Sequence, residues 1–113
     1  NDSESETGLI INIGFMGTVN KLEIRNIETG ENFIIDYEFM KNDKLIINCN
    51  RGKKSVILTR EAVKYNLIPQ VRSESTFFQL GIGDNRFSFL ADDGEKDMLV
   101  DISFKYYRVY LGV

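Results

Sequence analysis

Apolar and polar residues alternate along much of the chain, in short segments that are separated by turn residues. The clearest segment is 100–107, in which Val100, Ile102, Phe104 and Tyr106 alternate with Asp101, Ser103, Lys105 and Tyr107. Segments 19–27 and 33–39 show the same period of two, which is the pattern of a strand with one buried face. About eight or nine such strands at intervals of roughly 8–12 residues predict an antiparallel sandwich or barrel.

Some strands carry apolar residues at consecutive positions rather than at alternate ones. Segment 45–49 is the main example, and its composition predicts a central strand that is buried on both faces. A single sheet would leave one face of so many apolar strands in water, whereas two sheets packed about 10 Å apart bury them. The sequence therefore predicts an all-β, two-sheet antiparallel β-sandwich, with one helical turn over 60–65.

A glycine-rich stretch, FFQLGIGDNRFSFL, occupies residues 77–90. A phosphate-binding loop would lead into a helix, but this stretch leads into the strand pattern of 86–90. A calcium loop needs several oxygen ligands, and Asp84 with Asn85 supplies too few. The stretch therefore predicts a turn at 83–85 that folds strand 86–90 back on strand 76–80.

The composition excludes several classes of function. The chain has 113 residues, a net charge of −3 and no histidine. Without histidine there is no Ser-His-Asp or Cys-His catalysis, and no nucleophile, base and orienting group can be named together, so no enzyme and no cofactor are expected. A nucleic-acid partner is not expected because there is no basic face. A membrane partner is not expected because no apolar run reaches about 18 residues.

Two further features, an acidic segment and a single cysteine, are explained by the fold without a functional site. The acidic segment 92–97 is the best metal candidate, but its spacing matches no defined calcium loop, so a solvated hairpin turn is predicted. The single cysteine, Cys49, lies in an apolar run and is predicted to be a small buried residue. Alternation places Tyr107 on the outside, and Tyr107 together with Tyr110 is the better candidate for contact with a protein partner or a sugar.

Three segments together resemble a known family. The first is Val19-Asn20-Lys21-Leu22-Glu23-Ile24-Arg25-Asn26 with Thr29-Gly30, and the second is Asn42-Asp43-Lys44-Leu45-Ile46-Ile47-Asn48. The third is Phe77-Phe78-Gln79-Leu80 with Gly83-Asp84-Asn85, followed by the closing strand from Val100 to Tyr106. This order is similar to the C-terminal domain of the siphophage distal tail protein family, over most of residues 19–110.

The resemblance implies a galectin-like or carbohydrate-module-like jelly roll and a structural role in the virion tail. It implies a hexameric ring, formed through an N-terminal domain of the full-length protein, that joins the tail tube to the baseplate and is assembled in the bacterial cytoplasm. The polar, acidic composition of residues 1–7 predicts a linker or tail, and 8–113 are expected to be the sandwich, as the C-terminal domain of a longer tail protein.

The expected function is a non-enzymatic module that presents loops and a sheet face to the tail tube, a tail-tip lysin or a receptor-binding protein. The alternative is a carbohydrate-binding module that contacts host cell-surface glycans. Both place the contacts on the turn at 28–31, the turn at 92–97 and two tyrosines. The residues concerned are Glu28, Thr29, Glu31, Asp92, Asp93, Glu95, Tyr107 and Tyr110.

Overall fold

The computed structural model describes residues 7–80 and 86–104, which form nine β-strands. The strands are β1 (Thr7–Phe15), β2 (Val19–Asn26), β3 (Asn32–Phe39), β4 (Lys44–Asn48), β5 (Ser55–Arg60), β6 (Val63–Asn66), β7 (Gln79–Leu80), β8 (Phe87–Asp93) and β9 (Met98–Phe104). Within the described residues the helical segments are two short 3₁₀ turns, Ile68–Gln70 and Glu95–Asp97.

The strands form two antiparallel sheets. In the six-stranded large sheet, β6, β5, β4 and β1 are successive neighbours, and β1 also pairs with β7 and β9. In the three-stranded small sheet, β2 lies between β3 and β8. This arrangement confirms the predicted all-β, two-sheet sandwich, while the finer likeness to a galectin-like jelly roll stays a prediction.

The inward faces of the two sheets form one apolar core. Its fully buried members come from both sheets: Leu9, Ile11, Ile13, Leu45, Ile47, Val56 and Leu58 from the large sheet, and Val19, Leu22, Ile24, Phe33, Ile35 and Phe39 from the small one. Phe15 of β1 stacks on Phe39 of β3, with ring centroids 4.4 Å apart, so this aromatic pair joins the sheets directly.

The register of β2 shifts at one residue. The pairing of β2 with β3 is irregular between Asn20 and Leu22, and Lys21 between them has a positive φ of 55°. Because a bulge inserts an extra residue into the period of two, Val19 and Leu22 both face the core although they are three positions apart.

The predicted hairpin around the glycine-rich stretch is wrong. β7 pairs with β1 in the large sheet, whereas β8 pairs with β2 in the small sheet. A glycine-rich turn accommodates any change of chain direction, so it does not decide which strand the next segment joins. The predicted turn residues 83–85 lie outside the described residues.

The predicted helical turn over 60–65 is also wrong. Arg60 pairs with Val63 across the two residues Glu61 and Ala62, whose φ angles are 52° and 67°. Two central residues with positive φ form the type I′ reversal that matches the twist of a hairpin. The segment is therefore the β5–β6 hairpin.

Burial departs from the prediction at two other places. Leu45, Ile47 and Cys49 are buried, but Ile46 is 43% exposed, so β4 is covered on one face and not on both. The segment 92–97 does contain a turn, yet it connects β8 of the small sheet to β9 of the large sheet, so it is not a hairpin. The exposure of Ile46 shows that the outer face of β4 is open to solvent at this position.

Candidate contact surfaces

The β2–β3 turn, residues 26–31, is organised by the buried side chain of Asn26. Its Oδ1 accepts hydrogen bonds from the backbone amides of Glu28 at 3.0 Å and Thr29 at 3.3 Å. The backbone amide of Asn26 also donates to the Glu31 carbonyl, and Gly30, with φ of 79°, donates to the Asn26 carbonyl. An Asx turn of this kind holds its loop in one conformation before any partner arrives.

Glu28 fastens this turn to the start of β8. Its carboxylate accepts hydrogen bonds from Arg86 Nε at 3.0 Å, from Arg86 Nη2 at 2.7 Å and from the Arg86 backbone amide at 3.2 Å. The Arg86 hydrogen bond lowers the pKa of Glu28 and outweighs the opposing effect of desolvation. The Glu28 carboxylate is therefore engaged within the chain, and the free surface of the turn is provided by its neighbours.

Thr29 and Glu31 are exposed at the tip of the β2–β3 turn. The Thr29 hydroxyl donates to Glu31 Oε1 at 3.1 Å and accepts from the Glu31 backbone amide at 3.1 Å. Both side chains remain accessible from solvent, so they are the members of this turn that offer a contact to another molecule.

The acidic loop, residues 92–97, has carboxylates in three different environments. Asp92 is 68% exposed and lies 3.9 Å from the Lys21 ammonium, whereas Asp93 is exposed. Glu95 instead accepts a hydrogen bond from the backbone amide of Ala91 at 3.0 Å. Within the described residues, no group of three or more acidic or cysteine side chains could hold a metal ion.

The two loops lie at opposite ends of the small sheet. Asn20 at the start of β2 pairs with Asp93, and Asn26 at its end pairs with Phe87. Six residues of extended strand separate the two ends by roughly 20 Å. The β2–β3 turn and the acidic loop are consequently two separate surfaces, so the predicted site residues do not come together. Tyr107 and Tyr110 lie outside the described residues.

An ion pair near the β3–β4 turn connects the two sheets. Arg60 of β5 donates to Asp43 from Nε at 2.9 Å and from Nη2 at 2.6 Å, and the Asp43 side chain is 2% exposed. Burial by itself would raise the pKa of Asp43, but the hydrogen bonds from Arg60 and from the Met40 amide outweigh it and lower the pKa. The same Arg60 guanidinium lies over the Tyr37 ring, 5.6 Å from its centroid.

One surface was missed by the sequence reasoning. All four residues of β6 are exposed, and Val63, Tyr65 and nearby Ile68 are 50%, 43% and 40% exposed. The alternation of Val63, Lys64, Tyr65 and Asn66 is a strand signal of period two, but the assignment of 60–65 to a helix concealed it.

No helix in the described part of the chain is long and apolar enough to span a membrane.

Comparison with known protein families identifies the family of this chain. The model of the siphovirus-type tail component family, C-terminal domain, matches residues 2–107. No curated protein and no solved structure matches the chain.

Proposed function

The chain belongs to the siphovirus-type tail component family, and on that premise we propose that it is a non-enzymatic module of a phage or prophage tail tip or baseplate. A domain of this family has a structural role in the virion tail. In the proposed role it is the C-terminal domain of a distal tail protein and presents its loops and a sheet face to neighbouring tail or receptor-binding proteins. The observation that carries the proposal is the family match, which extends over residues 2–107.

The β2–β3 turn is held in one conformation by contacts within the chain, which supports a role in presenting this turn to a partner protein. The β2–β3 turn is held by Asn26 and by the Arg86 contacts to Glu28. Because a rigid loop loses little conformational entropy on binding, it contributes more of its contact energy to affinity. If the full-length protein forms a hexameric ring, as the family resemblance implies, many copies would also multiply weak contacts through effective concentration.

The separation of the two loops supports contacts with more than one neighbour. Thr29 and Glu31 lie at one end of the small sheet and Asp92 and Asp93 at the other. A module in a ring has neighbours above, below and beside it, so two distant contact surfaces suit such a position. The proposal assigns the two loops to different tail proteins.

Co-expression with the tail proteins encoded in the same phage or prophage tests the proposal. Size-exclusion chromatography with light scattering is expected to show complexes with at least one of them. Charge reversal by Glu31→Lys is expected to weaken one complex, and Asp93→Lys a different one, each by about tenfold. Glu74→Lys is the control, because Glu74 is exposed and lies on neither loop.

The alternative function, binding of cell-surface glycans, is an outcome of a parallel measurement. A glycan array probed with the purified chain is expected to show no binding. Specific glycan binding, combined with no association with any neighbouring tail protein, would overturn the assembly role and favour a carbohydrate-binding module.

A further inference from the structure

Both outer edges of the small sheet have backbone groups that are hydrogen-bonded to other parts of the chain. Segment 71–76, here called the strap, lies along β3: Arg72 donates its backbone amide to the Ile34 carbonyl at 2.9 Å, and Thr76 donates to Asn32 at 2.8 Å. Ser75 Oγ accepts from the Ile34 amide at 2.8 Å. On β8, Glu95 accepts from the outward-facing amide of Ala91. Such protection is a common way for proteins to prevent unwanted edge-to-edge association.

The edge of β6 has no comparable cover within the described residues. Leu67, just after β6, donates its backbone amide to Val56 of β5 at 2.8 Å. Because the backbone groups of a strand alternate in direction, those of Val63 and Tyr65 also face β5, and those of Lys64 and Asn66 point away from it. No other described strand pairs with β6. We call this the open edge of the large sheet.

The side chains of β6 favour a particular kind of partner strand. Val63 and Tyr65 are opposite Arg60 and Leu58, so they lie on the core side of the sheet, yet they are about half exposed. Lys64 lies on the other face, in one cross-strand row with Thr59 and Lys44. Both lysines are exposed, and neither forms an ion pair with a described residue.

A strand added at the open edge would place alternate side chains on these two faces. Apolar side chains would extend the cluster of Val63 and Tyr65, and an acidic side chain would lie opposite Lys64, where a cross-strand pair of opposite charges is stabilising. A second copy is less suitable, because antiparallel pairing of two β6 strands with their core faces aligned brings two Lys64 side chains onto one face.

Backbone strain next to the open edge is a separate indication of function. Glu61 and Ala62, which lead into β6, both have positive φ, although neither is glycine, asparagine or aspartate. Such conformations cost free energy and are concentrated at functional sites. The strained reversal holds β6 at the margin of the large sheet, with its outer edge accessible.

We propose that the open edge of β6 binds an extended, acidic segment of another protein by strand addition. The proposal deepens the assembly role described above, on which it rests for the identity of the partner as a tail protein. The expected ligand is an extended segment in which apolar and acidic residues alternate. This expectation follows only from the side chains of β6 and from the row that contains Lys64 and Lys44.

Titration of the ¹⁵N-labelled chain with a short blocked peptide of alternating valine and glutamate tests the proposal. The amides of Lys64 and Asn66 are expected to shift and to exchange with solvent about tenfold more slowly in the complex, because they gain partners. The matched valine–lysine peptide is expected to bind about fivefold more weakly, and Lys64→Glu is expected to reverse this preference.

Two variants distinguish the contribution of the Lys64 backbone amide to peptide binding from that of the Lys64 charge. Lys64→Ala removes the ammonium and keeps the amide, so it is expected to bind both peptides equally. Lys64→Pro also removes the outward amide donor and is expected to abolish binding, since proline is tolerated on an edge strand but cannot donate. If Lys64→Pro does not fold, the charge reversal still tests the proposal.

Three results would overturn strand addition: no change at the Lys64 and Asn66 amides with the acidic peptide, equal binding of both peptides to the parent chain, or protection of these amides by self-association without peptide. If the acidic peptide does not bind but the chain still forms complexes with neighbouring tail proteins, strand addition is wrong and the assembly role stands. Peptide binding without any such complex would point to a different partner.

Discussion

Arg60 and Asp43 form a two-point ion pair that joins β5 of the large sheet to the turn between β3 and β4. The Asp43 carboxylate also accepts a hydrogen bond from the Met40 amide at 2.8 Å, and its side chain is 2% exposed. A buried carboxylate without its partner cation is costly. The arginine therefore adds a polar link between the sheets to their shared apolar core, since it bonds Asp43 and also donates to the Glu38 carbonyl of β3 at 3.3 Å.

Replacement of the arginine is expected to destabilise the fold strongly. Arg60→Met retains most of the aliphatic stem but leaves the Asp43 charge buried and unpaired, which costs about 3–5 kcal/mol in comparable sites. Urea denaturation measures the loss. The control is Arg72→Met, because the Arg72–Asp36 pair has similar geometry but lies at the surface, where a much smaller effect is expected. Equal losses for the two variants would contradict this assignment.

Stability is expected to fall in acid, and Asp43 is expected to contribute to the fall. Its pKa in the folded chain lies below the ordinary 3.8, so the unfolded chain binds a proton more readily. The contribution of Asp43 is therefore fully present above about pH 5 and is lost as the pH falls through the folded-state pKa. Glu23, Glu28 and Asp36, whose pKa values arginine hydrogen bonds also lower, act in the same direction.

Urea midpoints measured between pH 3 and 7 test the pH dependence. Asp43→Asn cannot titrate, so its stability is expected to depend less steeply on pH below about pH 5 than that of the parent chain. A variant with the same slope as the parent would show that Asp43 does not contribute to acid sensitivity.

Replacement of Gly94 by any other residue is expected to destabilise the fold. Its φ is 85°, and a Cβ atom there would lie 2.2 Å from the Thr18 carbonyl oxygen. Gly94→Ala is therefore expected to lower the thermal midpoint severely, since the backbone of the β1–β2 connection must move. Gly30→Ala is the control, because φ is 79° but no atom lies within 4 Å; strain alone predicts a loss of about 1–2 kcal/mol. Similar midpoints for the two variants would exclude the Thr18 contact as the cause.

The faces of most strands were predictable from the sequence, but their partners were not. Alternation in 33–39 predicts which side of β3 is buried, and Phe33, Ile35 and Phe39 are indeed buried. Ile34 on the other face is buried as well, and its backbone is hydrogen-bonded to Arg72 and Ser75 of the strap. That contact joins residues 41 positions apart, and a pattern with a period of two carries no information about such distant pairings.

Recognition of the candidate site from sequence was limited in the same way. Turn composition identified Glu28, Thr29 and Glu31 as loop residues. The hydrogen bonds that hold the Glu28 carboxylate come from Arg86, 58 positions away, and could not be predicted from the turn itself. The β5–β6 hairpin was missed because Glu61-Ala62 lacks the Asn-Gly or Asp-Gly signal of a type I′ turn. The open edge became visible only when β6 was placed at the margin of the large sheet.

The Cys49 thiol is expected to be unreactive in the folded chain. It is fully buried, and burial raises its pKa to about 11, so almost no thiolate is present at pH 8. Labelling with a thiol reagent is expected to proceed only as fast as the chain opens and to become fast in denaturant. Rapid labelling at pH 8 without denaturant, on the time scale of an unfolded control, would place the thiol at the surface.

The strained reversal at Glu61 and Ala62 provides the last prediction. Asparagine and glycine adopt positive φ more readily than the residues present, so Glu61→Asn combined with Ala62→Gly is expected to stabilise the fold by about 1 kcal/mol. Lys53→Gly is the control: it adds a glycine in another hairpin turn, where φ is not positive, and is expected to be neutral or destabilising. A double variant no more stable than the parent would mean that the reversal stores no strain, and the backbone argument for a functional open edge would then be lost.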